Sequence, residues 1–146
     1  MRALLICLLI SAGLTLASGH ASAHSAMNRF WGEVPVDMTL TGDVLIVKPL
    51  IVPEGVTLTF EPGTVVRFEK SKDGANRIVV RGRLTAVGAK GSPIRFIPKD
   101  GESGPWQGVV FEGAGRGKME HCVLTGSTAG VKAPKGAVEV VDVTVK

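Results

Sequence analysis

Glu120 and Asp142 are the two acids whose spacing could do chemistry. On neighbouring parallel strands they would stand about 5 Å apart. That is the separation at which a nucleophile and a general acid flank a glycosidic bond in retaining hydrolases. A solvated acidic column is the alternative, and it is the one expected here. Trp31 and Trp106 form a second candidate set, because an exposed aromatic ring can stack on a sugar ring. Against carbohydrate contact stand two structural roles. Trp31, with Phe30, would plug the open end of a repetitive fold, and Trp106 would pack over the core at a corner.

Other chemistries fail on residue type or spacing. Gly113-Ala114-Gly115-Arg116-Gly117-Lys118 has the glycine content of a phosphate loop, yet Glu112 stands where its first glycine belongs and Met119 where a hydroxyl residue should follow. It is expected to be a loop between strands. His20, His24 and His121 are too dispersed for a zinc site. Asp37, Asp43, Asp73, Asp100 and Asp142 are spread over mostly different turns, which disfavours a calcium cage. No metal and no cofactor is therefore expected. Thr39-Leu40-Thr41 is echoed by Thr57-Leu58-Thr59, without a third copy near residue 75. They are expected to be outward strand threonines, not a flat ice-binding face.

The elements that would position these residues begin after an export signal. Arg2 precedes an apolar stretch from Ala3 to Leu16, and small residues follow it, ending in Ala21-Ser22-Ala23. That order is the secretory signal pattern, and the stretch is shorter than the roughly 20 residues a membrane helix needs. Cleavage after Ala23 would leave residues 24–146, enough for one domain, with Cys122 as the one cysteine. A disulfide framework is excluded. The formal charge of the chain is +4, and its basic residues are scattered with no run of three. An ordinary solvated surface is expected, not a nucleic-acid patch.

Valine dominates the apolar residues after the signal, tyrosine is absent, and glycine is abundant at 19 residues. Such composition favours short buried strands joined by tight bends. From about Thr39 onward the apolar runs are short and are separated by Pro53-Glu54-Gly55, Glu61-Pro62-Gly63, Asp73-Gly74 and Gly91-Ser92-Pro93. No helical spacing is sustained. A repeat is present: Gly108-Val109 returns as Gly130-Val131. At that same offset Met119 falls over Val141, His121 over Val143 and Val123 over Val145, with Glu120 and Asp142 sharing one outward column. Upstream the same period aligns Val56 with Ile78 and Leu58 with Val80. A fixed period in the twenties is the mark of a solenoid.

Gly42-Asp43-Val44-Leu45-Ile46-Val47 and Gly55-Val56-Thr57-Leu58-Thr59-Phe60-Glu61-Pro62-Gly63-Thr64-Val65-Val66-Arg67-Phe68 resemble the opening coils of bacterial right-handed parallel β-helix proteins of the pectate-lyase-like superfamily. Val80 to Gly88, Pro93 to Phe96 and Trp106 to Val109 are similar to later coils of the same proteins. The resemblance implies a fold without implying an activity, because such coils occur in pectin-degrading enzymes, phage spikes and adhesins alike. The Asn-Thr-Asp, Asp-Asp, Gly-His-Gly and Arg-Ile-Lys clusters of the pectin hydrolases do not occur; Arg77-Ile78-Val79 lacks the lysine.

The expectation is an all-β, right-handed parallel β-helix (a solenoid) of about five coils of roughly 22 residues. Residues 1–23 would be the secretory signal peptide, 24–41 an N-terminal leader or cap, and 42–146 the β-helix module. Residues 137–146 are strand-like to the last, so the module is expected either to continue in a longer protein or to pair end to end with a second copy. The function expected is a secreted, periplasmic or surface module with a structural or adhesive role and polysaccharide contact along one face. It would not span a membrane once the signal is removed. The alternative is the N-terminal part of a carbohydrate-active lyase or hydrolase whose catalytic coils lie elsewhere.

Overall fold

The computed structural model describes residues 28–100, 106–134 and 137–146; the expected signal at 1–23, and His24 after it, lie outside the described residues. Twelve strands carry the fold. In chain order they are β1 (Asn28–Glu33), β2 (Met38–Leu40), β3 (Asp43–Val52) and β4 (Thr57–Phe60). Next come β5 (Val65–Phe68), β6 (Arg77–Val80), β7 (Arg83–Val87) and β8 (Ile94–Pro98). The last four are β9 (Gly108–Phe111), β10 (Arg116–Leu124), β11 (Val131–Lys132) and β12 (Val138–Val145). No helix occurs among the described residues, and strands begin already at Asn28, ahead of where breaker spacing places them.

Every strand pairing is parallel, and the twelve strands join into one sheet that does not close on itself. The chain returns repeatedly to three ladders. The first runs through the early residues of β1 and β3, then β5, β8 and the ends of β10 and β12. The second takes the ends of β1 and β3, then β6, β9 and β11. The third is β2, β4, β7 and the starts of β10 and β12. This winding is consistent with a β-helix.

Inward residues form the columns that a Val-rich composition predicts. Val44, Val66, Phe96 and Leu124 stack in the first ladder, Leu50, Ile78 and Val109 in the second, and Leu40, Phe60, Ala86 and Met119 in the third. All of these are buried. Large and small residues alternate where the rungs demand it: Phe60 and Phe96 pack edge to face with ring centroids 5.6 Å apart, and Ala86 lies beneath Phe60 in the third ladder. Asn76 is buried and pins its loop by donating from Nδ2 to the carbonyls of Ile46 and Glu69, both at 2.9 Å.

The period differs from the one expected. Val131 does pair with Val109, as the Gly108 and Gly130 repeat requires. Upstream, however, Leu58 pairs with Leu84, while Val80 pairs with Val52 and Phe111, so Val56 and Leu58 do not stack on Ile78 and Val80. Near the C-terminal end Met119 pairs with Val140, Cys122 with Val143 and Leu124 with Val145, a single position out from the expected register. The reason is physical. Stacking constrains only the rungs, and lengthening a corner loop costs little closure entropy. Successive returns to the third ladder, at Leu58, Leu84, Gly117 and Val138, are therefore unequally spaced along the chain.

Cys122 points inward and belongs to the core, whereas a register that stacks His121 and Val123 sets it on the face opposite them; the positive φ of His121 breaks the alternation there. Its Sγ lies 3.2 Å from the Ala86 carbonyl, and burial pushes its thiol up to about 12. The native protein is therefore expected to resist iodoacetamide at pH 8 and to react only on unfolding. A raised pKa favours the neutral thiol in the folded state. Its stabilising contribution is full below the unfolded value, about 9, and is lost as pH rises towards the folded one. Urea titrations should show the stability gap between the native protein and Cys122→Ala shrinking from pH 9 upward. A gap that stays constant would mean the thiol is not buried as described.

Candidate functional site

The two tryptophans have different fates. Trp106 is 1% exposed, stacks on Phe68 at 3.9 Å with its ring 11° from parallel, and donates from Nε1 to the Thr125 carbonyl at 2.9 Å. Its ring is not available to a sugar, so its carbohydrate candidacy falls and its core-packing role stands. Trp31 is 61% exposed on β1, beside a shallow cleft of about 170 Å³ lined by Arg29, Phe30, Glu33 and Met38. It is the accessible aromatic of the pair.

Glu120 and Asp142 do not share a column. Glu120 pairs with Val141, and His121 Nδ1 meets Asp142 Oδ2 at 2.7 Å. On its other side His121 Nε2 lies 3.7 Å from Glu120 Oε1, so the imidazole fills the space between the two acids. The cause is a bend. His121 and Asp142 both adopt positive φ, 47° and 49°, a conformation that His and Asp tolerate better than most residues. There β10 and β12 turn from the third ladder into the first. A bridging imidazole occupies the gap that a glycosidic bond would need, and the retaining pair considered from the sequence is not formed. Among the described residues no group of three or more His, Cys, Asp or Glu is placed to hold a metal ion.

What the structure assembles instead is a basic cleft on the outward face of the third ladder. Arg83 of β7 pairs directly with Thr57 of β4 on one side and with Arg116 of β10 on the other. One pleat further along, Thr39, Thr59, Thr85, Lys118 and Glu139 form a parallel outward row. The third threonine of that row is therefore Thr85, not a residue near 75. Both arginines leave a corner glycine that no other residue can replace without backbone contact: a Cβ on Gly82 would lie 2.3 Å from the Pro53 and Val56 oxygens, and one on Gly115 would lie 2.0 Å from the Val80 oxygen. These close approaches put Arg83 and Arg116 in equivalent positions on successive strands.

The cleft has a volume of about 410 Å³ and is lined by Glu54, Thr57, Arg81, Arg83 and Arg116. Arg81 Nε is matched by Glu112 at 3.3 Å. Lys118 is matched by Glu120 at 3.1 Å and Glu139 at 3.7 Å, and the Glu120 carboxylate, then Glu139, holds its ammonium above the ordinary lysine range. Arg83 and Arg116 are exposed and form no ion pair with any described residue. Scattered basic residues in the sequence thus become neighbours. The signal that could reveal them is Gly82-Arg83-Leu84-Thr85 against Gly115-Arg116-Gly117-Lys118. Their offset is longer than the one from Gly108 to Gly130, and a search fixed on that shorter period passes over it.

Comparison with protein-family models, with curated proteins and with solved structures returns no match to the chain.

Proposed function

We propose that this protein is an exported structural or adhesive module, built as a right-handed parallel β-helix of the pectate-lyase-like kind, that contacts polysaccharide along one face. The observation that carries this reading is the outward face of the third ladder. There Thr57, Arg83 and Arg116 form a row along an open cleft, and the parallel row of Thr59, Thr85 and Lys118 runs beside it, with Thr85 and Lys118 lining an adjoining groove. Straight rows of hydroxyl and basic groups suit an extended polymer, whose successive hydroxyls and charges can be met in register without a deep pocket. Right-handedness is supported by the near-universal hand of parallel strand crossovers. Export is supported by the charged start, apolar stretch and Ala21-Ser22-Ala23. Exposed Trp31 offers a second point of contact at the β1 end.

Incubation with insoluble polysaccharides tests the reading. Retention on at least one polymer without release of reducing ends is expected, and Trp31→Ala should weaken retention several-fold if that ring contributes. Release of oligosaccharide products would favour the enzyme alternative. Absence of retention on every polymer, neutral or charged, would overturn the contact.

A further inference from the structure

We infer that the Arg83–Arg116 pair is a binding site for phosphate monoester groups carried on a glycan; the inference rests on the polysaccharide reading above and names the chemistry of its ligand. The two arginines face each other directly across neighbouring parallel strands, whose backbones run about 4.8 Å apart. Like charges placed directly opposite each other are destabilising. Elsewhere on the surface the protein avoids this arrangement: Arg67 lies 3.4 Å from Asp43, Lys99 3.3 Å from Glu69, and Arg81 3.3 Å from Glu112. Glu54 lines the cleft and Glu139 lines the adjoining groove that the two arginines share, and neither carboxylate makes an ion pair with Arg83 or Arg116. Two arginines at directly paired positions, neither within ion-pair distance of a described carboxylate, offer a site for an anion of matching charge.

The number of charges selects the anion. A uronate carboxylate has one charge and two oxygens, which a single arginine fork satisfies. A phosphate monoester carries roughly −1.5 to −2 at neutral pH and three strong acceptor oxygens, enough for two forks at once. Thr57, in the same row as Arg83, adds a hydroxyl donor at the cleft wall. The lining holds no aromatic side chain, so the base stacking that anchors single-stranded nucleic acid is not provided. A phosphorylated glycan fits the cleft better than either a polyuronate or a nucleic acid.

The test uses a mannan bearing 6-phosphate monoesters, the same mannan after phosphatase treatment, polygalacturonate, single-stranded DNA and inorganic phosphate. The phosphorylated mannan is expected to bind at least tenfold more tightly than the treated one. Arg83→Gln with Arg116→Gln should remove that difference while leaving the melting temperature unchanged or raised, since a repulsion is relieved. Lys90→Gln, at an exposed turn away from the cleft, should leave binding unchanged. Equal affinity for treated and untreated mannan would overturn the phosphate site and leave the polysaccharide reading intact. Loss of binding to every polymer would overturn both. Binding to polygalacturonate, DNA or free phosphate as tight as to phosphorylated mannan would overturn the glycan monoester as the ligand. A double variant that binds like the native protein would remove the arginines from the site.

Discussion

Replacing Gly108 by alanine should be the most damaging small substitution in the molecule, costing on the order of 4 kcal/mol or more. Gly108 opens β9 with φ at +119°, and a Cβ there would lie 2.0 Å from the Gly130 oxygen. That oxygen cannot retreat cheaply, because it accepts the Val109 N–H at 2.9 Å and so joins the two rungs. Moving apart breaks the hydrogen bond, and staying put forces a clash between backbones. Gly113→Ala is the matched control. Gly113 also has positive φ, +57°, but nothing lies within 4 Å of its added carbon, so only the left-handed conformation is strained, at about 1 to 2 kcal/mol. Urea unfolding followed by circular dichroism separates the two. Equal losses would show that rung spacing at Gly108 is wider than described.

Val80→Asp should be nearly as severe. Val80 is 0% exposed and sits between Val52 and Phe111 in the second ladder. A carboxylate there has no cation within the column, and burying it unpaired, or protonating it to avoid the charge, costs several kcal/mol. Glu120→Ser is the comparison on the outside. Its ion pair with Lys118 and its 3.7 Å approach to His121 are partly solvated, each contributing little, so a loss of about 0.5 kcal/mol is expected. Comparable drops in thermal stability for the two variants would mean that Val80 does not face the core.

Much of the fold was legible because it rests on local rules. Short runs such as Val65-Val66-Arg67-Phe68 and Ile94-Arg95-Phe96-Ile97 alternate in burial as strands should, since the pleat sends successive side chains to opposite faces. Breakers such as Glu61-Pro62-Gly63 fall between strands for equally local reasons. Packing of Trp106 was among the expectations, and it holds. What a single offset could not supply was the vertical register. Ladder geometry fixes which residues stack, while a corner loop such as the one at 69–76 absorbs extra residues with almost no energetic penalty. Sequence distance therefore ceases to report distance in space. For that reason Arg83 and Arg116, a full coil apart along the chain, become facing neighbours, whereas Glu120 and Asp142 are displaced from a common column by a single position. Residue type and alternation by themselves determined most of the strands and the candidate export signal, whereas the inward face past His121 did not follow from them. Only the stacking of unequal coils decided which charged side chains meet, because charge partners are chosen by the hydrogen-bonded ladder and not by their order along the chain.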